Sequence, residues 1–158
     1  MFTLTNENIL SFLKEHGYKA DFEKKTNQIT TTIDVDGMQF PVFIRVLSDG
    51  PVLQILAFIP CTIKKESLFD ISRLLHFLNK EMDIPGFGID ELAGVVFYRI
   101  TVPALDNKVN SLLFETYLKS LPPICKTFTP AIINVSQGTM SFEALLQKAK
   151  EEREKLKP

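Results

Sequence analysis

Three groups of residues have the types and spacing that chemistry uses, and the sequence around each one tests it. The first is Gly86-x-Gly88 within "EMDIPGFGIDELAG", a pairing that cradles phosphate in nucleotide-binding proteins. A dinucleotide fingerprint needs a strand before its glycines and a helix after them. Here a helical pattern precedes, a strand pattern follows, and Glu91 stands where the third glycine belongs. A kinase-type glycine loop does lie between strands, but the chain has neither H-R-D nor D-F-G and is too short for that fold. The two glycines read as turn punctuation.

The second group is His16 and His76, each in a predicted helix without a histidine or carboxylate at metal-ligand spacing. The third is Cys61 and Cys125, far apart and outside any C-x-x-C, which read as buried or inert thiols rather than a disulfide or zinc site. The acidic pairs Asp34 with Asp36 and Asp90 with Glu91 flank turns, where solvated side chains need no catalytic role. No G-x-S-x-G elbow or G-x-x-x-x-G-K loop is present. The expectation is a non-enzymatic protein with no catalytic residue, cofactor or metal.

The elements are clearer than the chemistry. Thr5 caps a helix from Asn6 to His16, with Ile9, Leu10, Phe12 and Leu13 on its apolar face and Gly17 as its stop. "QITTTIDVD" alternates strictly, and Asp36-Gly37 is a two-residue hairpin signal that sets Val35 opposite Met38, Ile33 opposite Phe40, Thr31 opposite Val42 and Ile29 opposite Ile44. A turn at "SDGP" starts a third strand with Leu47 opposite Val52, Val46 opposite Leu53, Ile44 opposite Ile55 and Val42 opposite Ala57. Pro41 cannot donate a ladder bond, so a bulge or a ladder break is expected close to it.

Leu68, Ile71, Leu75, Leu78 and Met82 mark a second helix ending at Pro85, and "GFGID" and "GVVFYRITV" form two strands around a turn at Glu91 to Gly94. A helix from about Lys108 to Leu121 is expected to close at Pro122-Pro123. An irregular or short helical segment and a final helix capped by Ser141 follow. That helix ends almost wholly charged, with Lys148 and Glu152, Lys150 and Glu154, and Glu151 and Lys155 four apart. This predicts an α+β domain with a five-stranded antiparallel sheet packed with helices, in the order α-β-β-β-α-β-β-α, plus a C-terminal helical extension.

The bulk numbers agree with one domain over residues 1–158: hydrophobic residues make up 45% and charged residues 23%, ordinary globular values. A formal net charge of -1 favours neither nucleic acid nor an anionic membrane surface. "MFTLTNENIL" has no secretory h-region and "ILAFI" is far too short to span a bilayer, so a cytoplasmic protein is expected.

One surface stands out. On the sheet face opposite the predicted core, Phe43, Leu47, Val52, Leu56 and Phe58 surround an Arg45 and Gln54 pair, while Thr30, Thr32 and Asp34 make the first strand's share polar. This apolar area needs a cover. It is either the chain's own C-terminal segment, through Phe128, Ile132 and Ile133, or another chain: a second copy or a client peptide.

The order of elements, with "LLHFLNKEM" running into "GVVFYRITV", resembles the YbjN-like family within the type III secretion chaperone-like fold, over about residues 5–121. The resemblance implies an α+β sandwich, a homodimer, and a role in binding a client or a regulated protein. Secretion chaperones of this fold are usually smaller and strongly acidic, whereas this chain is nearly neutral and adds residues 122–158. The expected function is chaperone-like protein binding through Phe43, Arg45, Leu47, Val52, Leu56 and Phe58. The alternatives are a regulatory adaptor docking through its C-terminal helix and a small-molecule binding domain.

Overall fold

The computed structural model of the protein describes residues 1–47, 51–84 and 86–155. Helix α1 (Asn6–Glu15) begins where the Thr5 side chain accepts the amide of Asn8 at 3.2 Å, and it buries Ile9, Phe12 and Leu13. Strands β3 (Gln28–Val35) and β4 (Met38–Leu47) form the expected hairpin. Asp36 and Gly37 take φ of 53° and 84°, the paired left-handed conformations of a two-residue turn whose twist matches the strands. The register runs from Val35 opposite Met38 to Ile29 opposite Ile44. Strand β5 (Val52–Ile59) continues it, with Leu47 opposite Val52 and Val42 opposite Ala57. The expected turn at 48–51 lies largely outside the described residues, as does Pro85.

The break expected at Pro41 falls on one side only. The β3–β4 ladder passes through Thr32 opposite Pro41 without an inserted residue, whereas the β4–β5 ladder ends at Val42. Counting from the turn-closing pair Val35 and Met38 directs the Pro41 nitrogen toward β5, so that is where the donor is missing.

Strands β6 (Phe87–Asp90) and β7 (Val95–Pro103) make a second hairpin, and β7 pairs antiparallel with β5. With β2 (Asp21–Glu23) at the far edge, the order is β2-β3-β4-β5-β7-β6, six strands where five are expected. The added strand pairs three exposed residues with Gln28 to Thr30 and has no apolar alternation by which it could be read. A separate two-stranded ladder joins β1 (Phe2–Thr3) to β8 (Lys108–Val109).

Helix α2 (Leu68–Glu81) buries Ile71, Leu74, Leu75 and Leu78 and packs on β6 and α3. Near its end Asn79 clamps the chain that enters β6. Its Oδ1 accepts the amides of Gly86 at 3.0 Å and Phe87 at 2.9 Å, and its Nδ2 donates to the Phe87 carbonyl at 2.8 Å.

The expected helix stop at Pro122-Pro123 is corrected by the structure. Helix α3 (Ser111–Ser136) runs through Pro122, Pro123 and Pro130 for 26 residues. Of its buried residues, Phe114, Leu118, Leu121, Cys125, Thr129, Ile132 and Ser136 follow spacings of three and four across all three prolines, with Val135 buried beside them. Each interior proline costs about 3 kcal/mol, and each large apolar side chain buried contributes about 1.5–3 kcal/mol. The stripe offsets the prolines. Pro123 and Pro130 also lie on the exposed side, where water can reach the carbonyls of the exposed Lys119 and Lys126 that they leave without a helical donor.

Helix α4 (Phe142–Lys155) is fixed mainly at its start. Ser141 Oγ accepts the Ala144 amide at 3.1 Å, Asp70 of α2 accepts the Phe142 amide at 3.3 Å, and Arg73 of α2 pairs with Glu143. The Arg73 guanidinium holds the Glu143 carboxyl below the ordinary carboxylate range. Phe142 is buried beside Phe77, whereas residues 147–155 are exposed. No helix among the described residues is long and apolar enough to cross a membrane.

The clamp yields a prediction. Asn79→Ala removes three hydrogen bonds worth about 1 kcal/mol each, so it should destabilise the fold by about 2–3 kcal/mol in chemical denaturation, with β6 amides losing hydrogen-exchange protection first.

Candidate partner-binding face

Alternation along β4 and β5 sends Phe43, Arg45 and Leu47, and Val52, Gln54, Leu56 and Phe58, to the sheet face away from the core. The register arranges them in rows. Phe43 lies opposite Leu56, and Leu56 opposite Arg99 of β7; Arg45 lies opposite Gln54, and Gln54 opposite Thr101; Leu47 lies opposite Val52, and Val52 opposite Pro103. Phe58 lies opposite Phe97. Two apolar patches result, an aromatic one and a smaller aliphatic one, with Arg45, Gln54 and Arg99 obliquely between them.

The aromatic patch has defined geometry. The Phe43 and Phe58 rings meet edge to face at 5.3 Å, Phe97 lies 6.2 Å from Phe58, and the Arg99 guanidinium stands 5.7 Å from the Phe97 ring centre. Arg45 Nε donates to Gln54 Oε1 at 2.8 Å, the side-chain pair expected from the sequence. Gln54 is 7% exposed, so its amide needs that partner. A shallow depression of about 340 Å³ is lined by Phe43, Leu56, Phe58, Phe97 and both arginines, with Gln28 and Asp90 at its margins.

All six residues singled out in the sequence therefore share one face, and its five apolar members are half-buried. Among the described residues the C-terminal segment does not cover them through Phe128, Ile132 or Ile133. Ile132 is fully buried in the inner core, Phe128 packs edge-on to Phe87 at 5.7 Å, and Ile133 lies beside Phe40 and the β3–β4 turn. Because α3 continues through its prolines, it crosses the inner face, which carries Ile29, Ile44, Ile55 and Tyr98.

Sequence reading misses Phe97 and Arg99. "GVVFYRITV" does alternate, but no local signal places β7 beside β5 and its outward residues next to Phe58 and Leu56. Gly86 and Gly88 also need a correction. Neither has positive φ, and both provide clearance: a Cβ at Gly86 would stand 2.3 Å from the Arg99 carbonyl oxygen, and one at Gly88 2.6 Å from the Phe97 ring. Gly88 lets the Phe97 ring lie against the sheet. The turn itself uses Gly94, with φ of 65°.

Of the remaining reactive side chains, His76 of α2 is exposed, and His16, Cys61 and Cys125 have packing contacts. His16 stacks on Phe12 at 3.9 Å between ring centres, and its Nδ1 lies 2.8 Å from the Phe12 carbonyl oxygen. Burial pushes the Cys125 thiol up to about 11, and it also raises Cys61, whose Sγ lies 3.7 Å from Ser136 Oγ. Both thiols are protonated at neutral pH and are weak nucleophiles there. Among the described residues no three His, Cys, Asp or Glu side chains are grouped to hold a metal ion.

Comparison with known proteins follows the same lines. The family model of YbjN, described as "Putative bacterial sensory transduction regulator", matches residues 5–134, beyond the 5–121 of the sequence resemblance. Among curated proteins none matches significantly. A chain in the crystal structure of the ExsC–ExsE complex is similar over 81% of this chain and 92% of its own, with 18% identity and a TM-score of 0.57. At that identity the likeness is one of fold, and it agrees with the type III secretion chaperone-like fold expected from the element order.

The two glycine contacts predict an order of severity. Gly86→Ala drives a methyl group into backbone and should cost about 1–3 kcal/mol in denaturation. Gly88→Ala meets only the end of a ring that can swing away, so its midpoint should fall less while the environment of Phe97 changes, read as a shift of its ring resonances.

Proposed function

The chain belongs to the YbjN family, and from that premise we propose that it is a cytoplasmic, non-enzymatic protein-binding domain. It takes a client or a regulated partner on the outer sheet face, through Phe43, Arg45, Leu47, Val52, Leu56 and Phe58, extended by Phe97 and Arg99. The observation that carries this reading is the partly exposed cluster of Phe43, Phe58 and Phe97 on the central strands of the sheet, with the helices packed on the opposite face. A contiguous apolar patch of this kind marks interaction surfaces. The neighbour of like fold, solved in the ExsC–ExsE complex, supports the reading further. The homodimer expected from the resemblance is proposed alongside it, through a surface other than this face.

A second reading has its own observation. Helix α4 is anchored by Phe142 and the Arg73 and Glu143 pair, and its exposed second half projects as a docking element for a regulated protein.

Affinity capture from native cells tests the first reading. Phe43→Asp with Leu56→Asp places charge only on the outer face, so the variant should keep its circular dichroism and melt cooperatively, at a lower midpoint because the two carboxylates stand opposite each other on adjacent strands. It should lose the partners enriched by the wild type by about 100-fold or more, the scale of two central interface residues. Unchanged capture by a folded variant refutes the use of this face.

Deletion of residues 141–158 tests the second reading. The core should stay folded, at a cost of about 1.5–3 kcal/mol for the lost burial of Phe142. Loss of partners on this deletion, with the double Asp variant still binding, would assign docking to α4.

A further inference from the structure

We propose that the segment seated on the outer face is an acidic one, with two carboxylates flanking an apolar side chain, read by the guanidinium groups of Arg45 and Arg99. The inference rests on the proposed use of this face and adds what kind of partner fits it.

The charge of the face differs from that of the chain. The whole sequence is near neutrality, at a formal -1, yet two arginines and one carboxylate, Asp90, line the depression. Asp90 is engaged locally, its Oδ1 accepting the Ala93 amide at 3.0 Å. Among the described residues the cations in ion pairs are Arg73, Lys80, Lys119 and Lys126, and neither Arg45 nor Arg99 is one of them.

Both arginines are exposed but positioned. The hydrogen bond from Arg45 Nε to Gln54 orients its guanidinium and leaves the two terminal nitrogens for a carboxylate. The Phe97 ring supports Arg99. A planar, pre-oriented fork of this kind suits bidentate recognition of a carboxylate, which a lysine in the same place would bind only as a point charge.

The register sets the spacing. Arg45 and Arg99 are two strands apart and one row apart, which strand geometry converts to roughly 12 Å between their Cα atoms. Gln54 and Leu56 lie side by side between them on β5. An extended segment with carboxylates at two positions four apart spans roughly 13 Å, and its middle residue falls between Gln54 and Leu56, where an apolar side chain can meet Leu56. The aromatic patch and the Leu47 and Val52 patch lie on either side of the line that joins the two arginines. The acidic pattern thus follows from the two guanidinium groups and from Leu56 beside the line that joins them.

The test is selection of random peptides on the immobilised full-length protein, run in parallel on folded variants. Wild type should enrich peptides with Asp or Glu on both sides of an apolar residue, and their affinity should fall about tenfold or more between low and high salt. Arg45→Glu with Arg99→Glu should switch the enrichment to Lys and Arg. Arg45→Gln with Arg99→Gln should remove the acidic preference without creating a basic one, which excludes misfolding as the cause.

Apolar peptides without acidic residues, selected alike by wild type and the arginine variants, would overturn the specificity and leave the face as a binding site. Peptides that bind the Phe43→Asp, Leu56→Asp variant as well as wild type, or no selection at all, would overturn the face itself. The turn after β6 carries Asp90, Glu91 and a fully exposed Leu92, so a second copy is the competing occupant. A dimer by light scattering that becomes a monomer on Glu91→Lys would assign the face to that copy and overturn the partner proposal.

Discussion

Burial of one sheet face under α2 and α3 is the constraint on which the rest of the structure depends. The stripe on α3 is long enough to cross the inner face only because it outweighs three prolines, and once packed there its apolar residues are not available to cover the other face. A chain broken at Pro122 would have had a free segment with Phe128, Ile132 and Ile133 available to fold back. The uncovered face is therefore a consequence of helix continuity as much as of strand alternation.

The outer face costs the protein something and gains it a rigid platform. Half-exposed Phe43, Phe58 and Phe97 lose part of the transfer free energy that full burial would provide. In return they stand on the central strands β4, β5 and β7, each paired on both sides, so little conformational freedom remains to be lost when a partner binds. Gln54 contributes by orienting Arg45, and Gly88 by letting the Phe97 ring lie against the sheet. Both fix geometry without adding apolar area.

Two parts of the molecule contrast in how firmly they are held. The entry to β6 is secured by Asn79 and by the Tyr98 hydroxyl, which donates to the Ile84 carbonyl at 3.0 Å, and the edge strand is registered by short-range contacts. Helix α4 is held at its first turn by Phe142, Asp70 and Arg73, after which its sequence turns polar and its residues are exposed. Local opening is expected to begin at that end, where few apolar contacts oppose it.

The sequence by itself determined the parts whose geometry is local. Asp36-Gly37 permits one tight turn, and that turn with the alternation from Ile29 to Ile44 leaves one register in which both strands bury the same face; Phe43, Leu47, Leu56 and Phe58 then point outward together. Thr5 and Ser141 are legible as caps because a cap is a bond to an amide three residues away. Phe97 and Arg99 join the face only because β7 lies beside β5, a pairing across some forty residues that packing of α2 and α3 selects and no local signal encodes. The prolines of α3 show the same division. Their local preference is to stop a helix, and only burial of Cys125, Ile132 and Val135 against the assembled sheet supplies the free energy that overrides it.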